Sequence, residues 1–271
     1  MFYDEFLKSE AFDTVFENHT LNNNKIIWIY WDSGWNNAPI VSQLCLKSWS
    51  NHNPDYLIVA LDNTTLKKYI DLTHLNLQYL SFIDIVSLSD IIRIYLLYKY
   101  GGTWVDSTTL CLKSIDTLLQ QYKEYGFFAY DAHAHYVKID SWFIHAELNN
   151  LVIQKWMKKI IDYWKYRRVK DQYFWLHNLF SELLQESQEI KMLWNSIPKK
   201  IALEKNWDGP HAFVPYQERL NGKLNREYKN YIDSGYNNNY CLKLSRHWNT
   251  DWFLNQNDTV INYIFRKENL I

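Results

Sequence analysis

Glycine, proline and cysteine are all scarce in this sequence, and it has neither a long apolar run nor an excess of one charge. Seven glycines in 271 residues is well below the usual share of about 7%. That excludes collagen-like repeats and Gly-rich linkers, and it marks each glycine as a place to ask about backbone freedom. The three cysteines, Cys45, Cys111 and Cys241, are odd in number, far apart and without C-x-x-C spacing. They exclude a disulfide scaffold and a structural zinc site and fit a reducing compartment. The longest apolar runs, such as Ile26–Trp31, are too short to span a bilayer. Lys plus Arg number 29 against 30 Asp plus Glu, a net charge of -1, which argues against a bulk nucleic-acid binder. Neither G-x-G-x-x-G nor G-x-x-x-x-G-K occurs, so the Gly-rich phosphate cradles are missing. H-E-x-x-H and G-x-S-x-G are missing too, so zinc-protease and α/β-hydrolase readings lack support.

The first twenty residues carry five acids (Asp4, Glu5, Glu10, Asp13, Glu17) and one Lys8, the reverse of a secretory signal. The expectation is a cytoplasmic protein that touches a membrane at most peripherally. With 47% hydrophobic residues, a sizeable core is available. No repeat or linker interrupts the chain, which predicts one domain over 1–271, with an N-terminal helix at about 1–20 and a helical insertion at about 150–197.

Lys25–Trp31 and Tyr56–Leu61 are continuous apolar, β-branched and aromatic runs, the pattern of strands buried on both faces. Pro39 opens a helix to about Ser50 between them. This βαβ unit predicts an α/β fold with a largely parallel sheet. Ser87 and Asp90 read as a capping box for a helix ending at Gly101-Gly102. Thr103-Trp104-Val105 is then a short strand delivering Asp106 at its carboxyl end, where open α/β sheets bind ligands. Further strands are expected at Phe127–Tyr130 and Trp142–His145, and helices near 150–166, 173–186 and 188–196. The stretch from about 205 to 250 reads as loop.

The informative unit is Ser89-Asp90-Ile91-Ile92-Arg93, then Gly101-Gly102, then Thr103-Trp104-Val105-Asp106-Ser107-Thr108. A carboxylate at a strand end can hold a hard divalent ion against a diphosphate. Asp90 and Arg93 lie one helical turn apart on one face. A carboxylate suits sugar hydroxyls, and a guanidinium fork suits phosphate.

On these residues the chain resembles the capsular-polysaccharide-synthesis glycosyltransferases. They are relatives of α-mannosyl- and galactosyltransferases with a DxD sugar-binding region, and more distantly of the large clostridial toxin glucosyltransferases. Lys25–Gly34, Asn53–Tyr56, Asp140–Ile144, Asp171–Phe174 and Lys243–Ser245 support the resemblance. It implies a GT-A-like fold: a Rossmann-like, nucleotide-binding mixed sheet, mostly parallel and flanked by helices. It implies a retaining transfer of a hexosyl unit from a nucleotide-sugar to a bacterial surface glycan. UDP-sugar is the first choice of donor and GDP-mannose the rival, and the acceptor glycan is free or lipid-linked. Asp90, Arg93 and Asp106 would be the catalytic set. Trp31 would stack on the base, and Ser107, Trp142 and Lys243 would join Asp90 and Arg93 on the donor. Asp106, Thr108, His211 and His247 would hold Mn²⁺ or Mg²⁺. The usual D-x-D is here Asp106-Ser107-Thr108, one carboxylate where two are commoner.

Plainer readings stand beside these. Asp106–Thr108 also reads as a strand-ending turn, Asp90 and Arg93 as a capping residue and an ion pair, Trp31 as a rim tryptophan, and the late histidines as solvated. Asp131-Ala132-His133-Ala134-His135 reads as a loop on the acceptor side, with a metal cluster as the alternative. Residues 151–170 combine an apolar helical stripe with Lys155, Lys158, Lys159, Lys165, Arg167, Arg168 and Lys170. That pattern fits a helix packed on the sheet or one lying on an anionic membrane. Two other functions remain: a non-catalytic glycan-binding module, which aromatic richness suits, and a toxin-like transferase acting on a protein.

Overall fold

The computed structural model describes residues 25–132, 137–202, 209–211, 222–244 and 250–271. The N-terminal helix expected at about 1–20, His133, His135 and His247 lie outside the described residues.

The first strand, β1 (Ile26–Tyr30), and the second, β2 (Leu57–Leu61), are buried at every position. They pair in parallel, Ile26 with Leu57 through Tyr30 with Leu61. Helix α1 (Ile40–His52) links them, with Pro39 as its N-cap. β1 also pairs in parallel with β3 (Gly102–Val105). β6 (Phe143–Ala146) runs antiparallel to β3 and to β5 (Phe127–Ala129). The sheet order is β2-β1-β3-β6-β5, so four of five strands run one way and β6 runs against them. The buried runs predict the parallel part of this sheet, and the resemblance its mixed, mostly parallel character. The carboxyl ends of β1, β2, β3 and β5 therefore share one edge with the start of β6.

Between β2 and β3 runs α2 (Ile85–Tyr100). The capping box expected at Ser87 and Asp90 is not the start of this helix. Asp84 is the N-cap, accepting from the Ser87 amide at 3.1 Å and the Ser87 hydroxyl at 2.7 Å. The helix begins one turn earlier because Asp84 is itself a good cap. That leaves Asp90 inside the helix, free to face Arg93. Gly101 caps the far end with φ +68°. Next to it, Gly102 has φ +93°, and a Cβ there would lie 2.8 Å from the Ile26 carbonyl. Trp28 fills the same corner, its indole N–H donating to the Gly101 carbonyl at 2.9 Å. Only glycine lets helix turn into strand this close to β1.

Three helices follow β6: α4 (Leu151–Trp164), α5 (Trp175–Glu186) and α6 (Gln188–Ser196), as the periodicity predicts. A short α3 (Asp116–Gln120) precedes β5. The stripe of α4, including Val152, Trp156, Ile160 and Trp164, is buried in the main core. The packing reading of this helix is right, and its apolar face is not a membrane-facing one. Trp28, Trp49, Trp104, Trp156, Trp164 and Trp175 are all fully buried. Much of the aromatic surplus is therefore core rather than surface. Among the described residues no helix is long and apolar enough to cross a membrane.

The stretch from about 205 to 250 is not simply loop. It holds α7 (Arg226–Asp233) and β7 (Cys241–Lys243), eight and three residues long and too short to stand out by period. After it come α8 (Thr250–Leu254) and α9 (Val260–Lys267). β7 pairs antiparallel with β4 (Thr109–Cys111) in a second small sheet. That sheet, the outer side of α1 and α9 enclose a second apolar cluster around Val41, Leu110, Leu242, Ile261 and Phe265.

Gly102→Ala is expected to lower unfolding free energy by about 2 kcal/mol or more, from positive-φ strain plus the clash with Ile26. Gly235→Ala, at φ +85° with nothing within 4 Å of its added Cβ, should lose only about 1 kcal/mol. Urea denaturation of the two variants side by side checks the difference.

Candidate active site

Strand period 2 puts Trp104 and Asp106 on one face of β3. The Trp104 indole N–H donates to Asp106 Oδ1 at 3.0 Å. Beyond Asp106 the chain turns at once: the Thr109 amide donates to the Asp106 carbonyl at 2.9 Å. Ser107 and Thr108 are the corner of that turn, and β4 begins at Thr109. In the second sheet Thr109 is registered against Lys243. This register swings the Lys243 ammonium back over the turn. Its Nζ lies 2.6 Å from Thr108 Oγ1 and 3.4 Å from Asp106 Oδ2.

From the other side comes α2. Arg93, a buried residue, reaches Asp90 Oδ1 and Asp106 Oδ1, both at 3.1 Å from Nη2. Its Nη1 donates to the Ser141 carbonyl at 2.7 Å, and the guanidinium lies 5.3 Å from the Trp104 ring centre. The chain of charges is therefore Asp90–Arg93–Asp106–Lys243, alternating in sign. The Asp106 amide donates to the Trp142 carbonyl at 2.8 Å, which ties the start of β6 to the same point. Trp142 stacks on Tyr130 at 4.9 Å and meets the His211 ring at 5.3 Å. The Lys243 amide donates to the Pro210 carbonyl at 2.8 Å, so the Gly209-Pro210-His211 segment arrives beside β7.

Burial acts against every carboxylate here, and the outcome depends on the neighbours. Burial pushes the Asp90 carboxyl up to about 6, against the pull of Arg93 and with a further push from Asp106. Burial raises Asp106 as well, but Arg93 and Lys243 together hold it below its ordinary value. Two carboxylates on one guanidinium are thus driven apart in acidity.

The structure brings Asp90, Arg93, Asp106, Ser107, Thr108, Trp142, His211 and Lys243 to one end of the sheet. Trp31, half-buried, stands at the end of β1 on the same edge, its indole N–H donating to Ser33 Oγ at 3.1 Å. Asp62 follows β2 there, and burial would raise it; hydrogen bonds from Thr64 and Thr65 hold it low instead. Asp131 follows β5 and bridges to Ile201. Asp171 is exposed and paired with Arg167 at 2.8 Å. Trp104 belongs to the site, and the sequence reading assigns it no role; Ser141, which the resemblance places near the donor sugar, contributes its carbonyl to Arg93. The i, i+2 spacing on a strand could have linked Trp104 to Asp106. Two buried N–H groups at this place, Arg93 Nε and Trp142 Nε1, have no acceptor among the described residues.

A divalent ion at the turn would use Asp106 and Thr108. Lys243 already lies against both, and Arg93 and Trp104 take the other Asp106 oxygen. Among the described residues no group of three or more His, Cys, Asp or Glu stands together to hold a metal ion. Among the described residues this set holds an ammonium where the ion was expected; His247, the remaining expected ligand, lies outside them.

The sequence pattern of the family described as capsular polysaccharide synthesis protein matches residues 3–263. Among curated proteins, the chain is similar to the O-glycosyltransferase braB of Annulohypoxylon truncatum. The two are 24% identical over 165 residues, 54% of this chain and 39% of that protein. It is also similar to inositol phosphoceramide mannosyltransferase 3 of Schizosaccharomyces pombe, 29% identical over 107 residues, 39% of this chain and 30% of that protein. The matched segments thus span well under half the length of either relative. A solved structure titled PaToxG Glycosyltransferase aligns with a TM-score of 0.47 at 14% identity, covering 86% of this chain and 97% of that one.

Arg93→Met leaves two carboxylates without their shared partner and should destabilise the fold by about 3–5 kcal/mol near pH 8. The folded-state acidity of Asp90 is already weakened, so its ionisation works against the fold as pH rises through about 6. Without Arg93 that opposition grows. The deficit of the variant should therefore shrink at pH 5, where Asp90 takes up a proton. Guanidinium unfolding at the two pH values measures this.

Proposed function

The chain belongs to the capsular polysaccharide synthesis protein family, and from that premise we propose that it is a GT-A-type glycosyltransferase. It moves a hexosyl unit from a nucleotide-sugar, UDP-sugar first, to a hydroxyl of a bacterial surface glycan, with retention at the anomeric carbon. The observation that carries this reading is the alternating chain Asp90–Arg93–Asp106–Lys243 at the carboxyl end of β3. The curated relatives carry glycosyltransferase and mannosyltransferase in their names. The second of these names favours GDP-mannose as the alternative donor.

The chemistry asks for two things, and these residues supply both. Cleaving the bond between the anomeric carbon and the diphosphate leaves extra negative charge on the departing oxygen. Arg93 and Lys243 bring fixed positive charge to that end of the sheet, in surroundings where burial strengthens it. The new bond joins the anomeric carbon to the acceptor oxygen on the face the diphosphate leaves. The acceptor proton passes to a diphosphate oxygen, so no separate protein base is assigned. Asp90, once ionised, accepts hydrogen bonds from donor-sugar hydroxyls and fixes the ring. Trp31 offers its ring to the base at the β1 end. The glycan-binding alternative would need no such run of cations and carboxylates.

Thermal unfolding with UDP, GDP and CMP, each with Mn²⁺ or with a chelator, tests the reading. A nucleotide at about 100 times its dissociation constant stabilises the fold by roughly 2.7 kcal/mol, a shift of several degrees. The expected result is a shift with UDP that Lys243→Ala abolishes. A shift that requires Mn²⁺ would mean the ion displaces Lys243 from Asp106 and Thr108. No shift with any nucleotide would return the chain to the glycan-binding reading. In a transfer assay Lys243→Ala should lower kcat/KM by about 10²–10³. The wild-type rate should rise with pH through an apparent value near 6 as Asp90 ionises; a flat profile from pH 5 to 8 would remove Asp90 from the reaction.

A further inference from the structure

The segment after α4 does what the helix itself does not. Residues 165–173 leave α4 and lie across the approach to α2. The Gln78 amide donates to the Lys165 carbonyl at 3.2 Å. The Arg168 guanidinium sits over the Tyr79 ring at 4.5 Å and the Phe82 ring at 5.2 Å. Lys170 reaches Asp84 at 3.0 Å and Ser87 at 3.2 Å. These contacts knit 78–87 and 165–173 into one surface. That surface is apolar to an unusual degree: Phe82 is 60% exposed, Tyr166 69%, Val169 72% and Tyr173 69%. Ile85 and Val86, in the first turn of α2, are exposed beside Phe82.

Single exposed apolar residues are ordinary, but a cluster of six on two contacting segments is not. Their chemistry is mixed in a particular way. Aromatic rings and branched side chains alternate with Lys165, Arg167, Arg168 and Lys170. Asp171 pairs with Arg167 and Asp84 with Lys170. Among the described residues no carboxylate pairs with Lys165 or Arg168, whose cations lie on rings instead. The surface thus keeps a positive excess. Long cationic stems with rings beneath them are the arrangement that seats at a lipid headgroup layer.

We propose that this surface docks the protein on an anionic lipid bilayer, with Phe82, Tyr166, Val169 and Tyr173 entering the headgroup boundary. Lys165 and Arg168 meet the lipid phosphates. The occupant follows from charge and shape: an uncharged apolar groove in a partner would not call for the cations, and nucleic acid would not call for Val169 and Phe82. The docked face adjoins the helix that carries Asp90 and Arg93 one to two turns further on. If the transferase reading holds, the bilayer then lies beside the site; the docking itself does not depend on that reading.

Co-sedimentation of the full chain with phosphatidylcholine vesicles, with and without phosphatidylglycerol, tests this. Binding is expected only with phosphatidylglycerol and should weaken with salt. Lys165→Gln with Arg168→Gln should reduce it on the order of tenfold or more, since each interfacial cation contributes about fivefold. Phe82→Ser with Val169→Ser should also reduce it. Both pairs are exposed, and an unchanged melting temperature verifies that they fold. No binding to the anionic vesicles overturns the proposal, as does equal binding by the variants. So does self-association that Phe82→Ser abolishes, which would assign the face to a second copy. Vesicle binding without nucleotide binding would keep this surface and sink the transferase reading; the converse result would do the opposite.

Discussion

One guanidinium organises the functional end of this molecule. Arg93 holds Asp90 from its own helix and Asp106 from β3 with the same nitrogen, and fixes the start of β6 through the Ser141 carbonyl. A helix, two strands and a turn are therefore located by a single side chain. A buried charge is tolerated only where partners compensate it, and here the compensation is mutual. Arg93 keeps Asp106 ionised, while burial leaves Asp90 hard to ionise. The pair thus offers one permanent anion and one whose charge comes with rising pH. A lysine in place of Arg93 could not form this fork, because an ammonium lacks the rigid planar set of donors.

The position of Lys243 has a different cause, which is sheet register. Lys243 comes from a three-residue strand far along the chain, and it reaches the Asp106 turn because Thr109 pairs with it in the small second sheet. That sheet is anchored in turn by α1. The Trp49 indole donates to the Thr109 carbonyl at 2.7 Å, and Ser48 accepts from the Cys111 amide at 2.9 Å. A slip of one residue would send the Lys243 side chain to the opposite face. The second apolar cluster, which includes Leu242 and Leu244 on either side of Lys243, therefore contributes to the site by holding this register.

The legible part of the sequence was the part with strong local signals. The fully apolar runs of β1 and β2, the periodic stripes of α4 to α6, and the Gly-Gly break before β3 each gave an element close to where it lies. Asp90, Arg93 and Asp106 came into view together because a capped helix, a glycine break and a strand end bracket them. What was not legible depended on tertiary choice. Two candidate caps, Asp84 and Ser87, sit within one turn, and only packing decides between them. α7, β7 and α9 are short or polar, and β7 has meaning only through its pairing with β4. The engagement of both Asp106 oxygens by cations could not be read from Asp106-Ser107-Thr108, since Lys243 lies 135 positions beyond Thr108.

Residues 151–170 show the same limit from another side. Composition joined a helix and the loop after it into one basic amphipathic segment. The fold separates them at Trp164: before it, period 3.6 sends each apolar residue into the core; after it, no helix remains to hide the next ones. Tyr166 and Val169, each flanked by charged residues on both sides, stay outside, as does Tyr173. Arg168 over those two rings and Lys170 on Asp84 hold this segment in place. Asp84 is also the cap of α2, the helix that presents Asp90 and Arg93. The lysine that closes the outer surface therefore bears on the first turn of the helix that carries the inner charges.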